Sequence, residues 1–175
     1  HRLAGNVPDG TIVGARGPHG LFAQKSEMND WLRKIYQDKV GNEPNYPAYS
    51  VAQAVLGLKA AYEKARLEKV QAATPMGAAK DVKEQMEKAY NTPPSTEEII
   101  KAFEYLTFDS PSGKVMMKLG KGHQAVQGTA YGTTKTVGGK VTVENIKYYP
   151  VEKVQPPEGV SSMDWIKSGM RPGKW

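Results

Sequence analysis

The sequence predicts an α/β protein, and three observations carry that prediction. A short, partly β-branched run bounded by glycine, Thr11 to Ala15, follows an Asp9-Gly10 turn and reads as an interior strand. Apolar residues then recur with helical spacing in several segments between Ser26 and Leu106. After Leu106 the period changes from helical to alternating, and a hairpin-forming turn appears at Val137-Gly138-Gly139-Lys140.

The loop Arg16-Gly17-Pro18-His19-Gly20 follows the first strand. A helix is expected from Ser26 or Glu27, because Met28, Trp31, Leu32, Ile35 and Tyr36 fall on one stripe with Asp30, Arg33, Lys34 and Gln37 facing water. Gly41 is placed to end it. Asn42 to Pro47 reads as a loop, and a second helix is expected from Tyr49 to about Ala65, rich in small residues that allow close packing on a sheet. Thr74-Pro75-Met76-Gly77 interrupts the next charged segment, which is expected to be helical from about Ala78 to Tyr90. Asn91 to Pro94 is a break. Ser95 and Glu98 form a capping box for a helix that buries Ile99, Ile100, Phe103 and Leu106.

Asp109 to Gly113 reads as a turn. Val115, Met117 and Leu119 then alternate with Lys114, Met116 and Lys118, as in a half-buried strand. Gly120-Lys121-Gly122 turns the chain again, and Ala125 to Thr136 reads as one strand. On the returning strand Val141 and Val143 are offset by an odd step from Ile146 and Tyr148, so a bulge is expected near Asn145. The tail from Pro150 to Pro172 is rich in Pro and Gly, with Trp165-Ile166 as its apolar anchor.

Composition excludes several classes of function. There is no cysteine, hence no disulfide, thiolate metal site or cysteine nucleophile. His1, His19 and His123 have no short metal-binding spacing, and no cofactor is expected. No GxSxG elbow, P-loop or GxGxxG turn is present. Gly120-Lys121-Gly122-His123 has no helix pattern after it to cradle a phosphate. Glu97 and Glu98 suit the first turn of a helix without further duty. Catalysis is not indicated.

The formal charge is +6, and the imbalance lies in residues 113–175, with 10 Lys+Arg against 4 Asp+Glu. These lysines are spread along strands and turns, which fits a solvated face better than a nucleic-acid patch, so no nucleic-acid partner is expected. The better cleft candidate is a group of loop residues beside strand and helix ends: Arg16, His19, Asn45, Tyr46 and Tyr49. Arginine can clamp a carboxylate, and tyrosine supplies an apolar face with a hydroxyl.

The order of these features resembles the C-terminal half of periplasmic solute-binding proteins of branched-chain amino-acid-type ABC transporters. The resemblance is carried by the Asp9 to Val13 strand, the Trp31/Tyr36 helix and the run Pro47 to Leu56. It continues through Asp109-Ser110-Pro111-Ser112-Gly113-Lys114-Val115, Gly122-His123-Gln124 and the ending from Tyr149-Pro150 through Pro156-Pro157 to Val160. It covers essentially the whole chain, with Thr74 to Asp81 as an insertion.

The resemblance implies two flavodoxin-like α/β lobes that close on a small solute and pass it to a membrane permease. Residues 1–18 would end a second-lobe strand, 19–107 would supply first-lobe helices, and 108–175 would cross back into the second-lobe hairpin and tail. Neither lobe would be complete. The absence of an initiator Met at His1-Arg2-Leu3 fits a piece of something longer. A complementary N-terminal half, from the same precursor or a second chain, is therefore an expected partner. The family's aromatic wall falls nearest Pro44 to Tyr46, with the aromatic shifted within the loop. The implied location is periplasmic, or otherwise extracytoplasmic and membrane-tethered, and the implied solute an amino acid, an amide or an aromatic acid. A ligand-sensing lobe pair of a receptor or regulator is the alternative.

Overall fold

A computed structural model describes residues 7–73, 82–118, 124–157 and 159–170. The expectations for Gly120 to His123, Leu119 and the Thr74–Asp81 insertion lie outside the described residues, as does the predicted helix start at Ala78. Helix α1 spans Glu27–Val40. Ser26 caps it by accepting the Asn29 N–H, and Gly41, at φ 77°, adopts the left-handed conformation that returns its N–H to Gln37. Its stripe is only partly covered: Leu32 is buried, whereas Trp31 is 52% exposed.

Helix α2, Tyr46–Ala72, is longer at both ends than the predicted 49–65. Pro47 was the misleading residue. In the first turn a backbone N–H has no partner within the helix, so proline is tolerated there, and Asn45 caps the start by accepting the Ala48 N–H at 3.2 Å. The small residues of α2 serve the predicted purpose. Gly57, Ala61 and Ala65 are buried, and Ala61 and Ala65 form the core with Ala102, Leu106 and Met117.

Helix α3 spans Val82–Asn91 and α4 spans Thr96–Ala102. The Ser95–Glu98 capping box is formed in both directions. With only seven residues, α4 presents a narrower inner face than expected. Leu106 is buried beyond its end and Ile99 and Phe103 flank the core, but Ile100 is 48% exposed and Ala102 takes the buried place.

Two three-stranded sheets follow. One, in the order β1 (Ile12–Arg16), β5 (Thr129–Val137), β6 (Lys140–Tyr149), is antiparallel throughout. The other joins β2 (Thr107–Ser110), β3 (Gly113–Lys118) and β4 (Gln124–Gln127), also antiparallel. Every strand pair among the described residues is antiparallel. Strand β1 stands at the edge of its sheet there, not in the interior, and Ile12 is 75% exposed.

Three further readings are corrected. Asp109 and Ser110 belong to β2, and the turn is confined to Pro111-Ser112. The predicted strand Ala125 to Thr136 is two strands in different sheets, divided at Gly128. A β-carbon at Gly128 would stand 2.6 Å from the Tyr149 carbonyl oxygen, and the Gly128 carbonyl accepts the Gly17 N–H at 3.0 Å. Close packing at Gly128 thus turns the chain from one sheet to the other. In the tail, Trp165 and Ile166 lie on the short helix α5 (Ser162–Lys167), where Ile166 is 56% exposed; the buried anchor is Val151.

The hairpin and bulge form as predicted. Gly138 and Gly139 both have positive φ, as a tight turn between twisted strands requires. Between the pairs Tyr131–Lys147 and Thr133–Glu144 the register shifts by one residue, and Asn145 adopts φ 53°. No helix of the described residues is long and apolar enough to cross a membrane.

Candidate functional site

The loop leaving β1 is held from several sides. The Gly17 N–H is tied to Gly128, Gly17 (φ 65°) lies against the Gln127 amide, and Pro18 is fully buried. No side chain larger than hydrogen fits at Gly17 without displacing Gln127. Beyond it, residues Gly20–Phe22 form a single 3-10 turn, closed by the Phe22 N–H on the His19 carbonyl at 3.0 Å. His19 is thereby held through its own carbonyl, with Gly17 anchored two residues before it. Its Nδ1 lies 3.0 Å from the Gly17 carbonyl oxygen, which can only accept, so this nitrogen carries the proton.

Three of the five residues singled out in the sequence come together here. The His19 and Tyr46 rings lie 5.1 Å apart at 59°, and His19 and Tyr49 lie 6.1 Å apart at 51°. Tyr46 opens α2 and is 57% exposed, while Tyr49, one turn on, is 1% exposed. The Tyr49 hydroxyl donates to Asn29 Oδ1 at 2.7 Å. Burial raises the pKa of this hydroxyl, while the Arg33 guanidinium and the Gly20 amide act against that rise. Tyr49 is therefore a neutral packing and hydrogen-bonding residue, and Tyr46 presents the open aromatic face.

The other two are placed differently. Asn45 lies beside Tyr46, but its side-chain oxygen is occupied by the cap on α2. Arg16 sits on the outer face of its sheet: the register sets it beside Thr129, which in turn faces Tyr149. On that face Tyr131 and Tyr149 stack at 5.4 Å, with their hydroxyls 2.9 Å apart. The Tyr131 hydroxyl raises the Tyr149 pKa, with nearby Lys147 and Lys153 opposing.

Sequence reasoning missed two groups that build the surroundings. Asn29 is 2% exposed within α1, donates to the Gln24 carbonyl at 3.2 Å and receives Tyr49. Gln53 of α2 donates to Gln127 Oε1 at 2.7 Å and to Ser110 Oγ at 3.2 Å, fastening α2 to β4 and β2. Because Gln127 also underlies Gly17, the His19 loop, α2 and β4 meet at one side chain. The polar identity of Gln53 and Gln127 was visible in the sequence, but their pairing across 74 positions was not.

The Arg33–Glu43 ion pair, at 2.9 Å, borders the cluster and accounts for the carboxylate nearest it in sequence. Its hydrogen bond holds Glu43 below the usual carboxylate range. A separate open cleft of about 670 Å³ lies between Met28, Trp31, Leu56 and the facing ends of β2 and β3 at Asp109, Ser110 and Gly113, and none of the five singled-out residues lines it. The His19 cluster is the better-defined chemical site, because it joins an exposed aromatic face to an oriented imidazole. No group of three or more metal-ligating side chains occurs among the described residues.

The sequence matches no protein-family model and no curated protein. Solved structures do share the fold. An ABC-type branched-chain amino acid transporter protein from Rhodopseudomonas palustris CGA009 superposes with a TM-score of 0.57 at 20% identity, covering 82% of this chain and 31% of that one. A solute-binding protein of an ABC transporter from Rhodopseudomonas palustris BisB5, in complex with 3,4-dihydroxybenzoic acid, gives 0.54 at 14% identity, covering 85% and 34%. The chain spans about a third of the length of these proteins. Its mixed α/β fold is similar to that part of ABC-transporter solute-binding proteins.

Proposed function

We propose that this chain is part of an extracytoplasmic solute-binding component of an ABC importer. It binds a small solute (an amino acid, an amide or an aromatic acid) between two lobes and delivers it to a membrane permease. The observation that carries this reading is the fold likeness to two ABC-transporter proteins, at TM-scores of 0.57 and 0.54. The His19–Tyr46–Tyr49 cluster adds an aromatic corner at the loop before α2. Both neighbours are ABC-transporter proteins, which favours transport over ligand sensing.

In this reading residues 19–107 supply helices of one lobe, and the flanking segments 1–18 and 108–175 belong to the other. The remaining lobe elements come from a complementary segment of polypeptide. Exposed apolar residues support such a partner: Ile12 on the β1 edge, and Val51, Val55 and Leu58 along one side of α2. Tyr46 and His19 contact the solute, backed by Tyr49 and by Asn45 at the start of α2, whereas Arg16, on the outer sheet face, stands apart from them. The proposal assigns a periplasmic location, no catalysis and no nucleic-acid partner.

A thermal-shift panel of amino acids, amides and aromatic acids on the full-length protein tests it. A solute present at one hundred times its dissociation constant adds about 2.7 kcal/mol to stability, a readily measured rise in Tm. Absence of a shift for every compound at millimolar concentration would overturn the proposal.

A further inference from the structure

We infer that His19 is the specificity-determining residue of this site: its Nε2 selects a flat aromatic solute that presents a neutral hydroxyl donor. The inference rests on the solute-binding reading above and narrows it.

The argument begins with the proton on the imidazole. Nδ1 lies 3.0 Å from the Gly17 carbonyl oxygen and donates to it. A neutral imidazole has one N–H, so Nε2 is left with its lone pair. Among the described residues nothing donates to Nε2. The ring is not free to exchange its nitrogens at no cost, since the Gly17 carbonyl would then face a lone pair. Nor can the backbone readily re-aim it, because the Gly17 and Phe22 N–H groups anchor the loop on either side.

The neighbours then decide which donor suits it. Tyr49 is 1% exposed and its hydroxyl is given to Asn29. The Asn45 oxygen is given to the helix cap, and Glu43 is paired with Arg33. Arg16 lies on the outer sheet face. The cluster therefore offers one neutral acceptor, His19 Nε2, and one open aromatic face, Tyr46, which is 57% exposed.

An α-ammonium placed here would lose water without gaining a carboxylate, which is costly. A neutral hydroxyl loses little and gains a directed bond. The ring tilt of 59° between His19 and Tyr46 makes a corner. An aryl ring laid on Tyr46 carries a hydroxyl in its own plane, and we place that hydroxyl within reach of Nε2, on the ring 5.1 Å from Tyr46.

The test uses calorimetric titration of the full-length protein with benzoate, 3- and 4-hydroxybenzoate, 4-methoxybenzoate, leucine and leucinamide. Wild type is expected to bind one hydroxybenzoate about tenfold more tightly than benzoate and the methoxy ether, the worth of one added hydrogen bond. His19→Phe keeps a ring but no acceptor and is expected to erase that preference while still binding benzoate. His19→Gln, which restores an acceptor, is expected to recover part of it. A merely structural role for His19 would weaken all the benzoates equally, and that result would overturn the inference. Equal wild-type affinities for the benzoates would also overturn it while leaving solute binding intact, as would binding of leucine or leucinamide alone. Failure of every compound to bind would overturn both readings.

Discussion

The tip of the Phe108 ring lies 2.8 Å from where a β-carbon on Gly57 would stand. Helix α2 can approach β2 this closely only because position 57 has no side chain. Glycine within a helix usually costs about 0.5–1 kcal/mol relative to alanine, so Gly57→Ala would stabilise an exposed helix. Here the added methyl meets an aromatic ring end-on, and overpacking costs about 1–3 kcal/mol. Gly57→Ala is expected to lower the urea midpoint. The double variant with Phe108→Leu is expected to regain part of the loss. A stabilised single variant would show that Phe108 moves aside freely.

Tyr49 and Asn29 make a buried side-chain bond between α2 and α1, 2.7 Å long. Removing the hydroxyl in Tyr49→Phe leaves Asn29 Oδ1 without its donor, at a site 2% exposed to water. An unsatisfied buried acceptor costs about 1–3 kcal/mol. Chemical unfolding should show that loss in Tyr49→Phe. The double variant Tyr49→Phe/Asn29→Leu should fall short of the summed single losses, since it removes both partners. Strict additivity would mean the two residues do not interact.

These two contacts also mark what the sequence could disclose. Ser26, Gly41, Ser95 and Glu98 act on their own helix ends, so local spacing was enough to place them. The bulge at Asn145 was legible because an extra residue breaks the alternation along one strand. By contrast, Asp109 and Ser110 have turn-like chemistry, and their strand conformation comes from pairing with Lys114 and Gly113. Gly128 divides a continuous-looking strand because of Tyr148 and Tyr149, twenty residues away. At the candidate site, aromatic and polar loop residues beside strand and helix ends pointed to His19, Tyr46 and Tyr49, which lie together in the structure. Asn29 read as one more polar helix residue, and the side of the sheet on which Arg16 lies required the register with β5.

At the start of α4, Ser95 accepts the Glu98 N–H at 3.2 Å and Glu98 Oε2 accepts the Ser95 N–H at 2.7 Å. Ser95→Ala is expected to cost about 1 kcal/mol. The Ser95 amide, and after it the Lys69 side chain, lower the Glu98 pKa below its ordinary 4.5. A carboxylate depressed in this way stabilises the fold above its unfolded pKa, and the contribution is lost as pH falls through the folded value. Wild type should therefore exceed Glu98→Gln in stability at pH 7, and the gap should close at acid pH below that range. Unfolding curves at pH 7 and pH 3 check this; a gap that widens toward acid would contradict it.

Tyr46 and Tyr49 lie three positions apart on the first turn of α2, and the difference in their exposure, 57% against 1%, separates binding from folding. Substitution of an exposed side chain away from caps and cores usually changes stability by no more than about 0.5 kcal/mol. Tyr46→Ala should therefore unfold close to wild type. If Tyr46 supplies the aromatic wall of the proposed site, the same change removes a stacking partner worth about 0.5–1.5 kcal/mol beyond its buried area. Affinity for the solute identified by thermal shift should then fall about tenfold or more. Tyr49→Phe should behave in the opposite way, losing stability while retaining most of its affinity. Measuring both quantities on both variants distinguishes a wall from a strut. Tyr46→Ala with unchanged affinity would remove Tyr46 from the site and leave His19 without the face that orients a ring toward it.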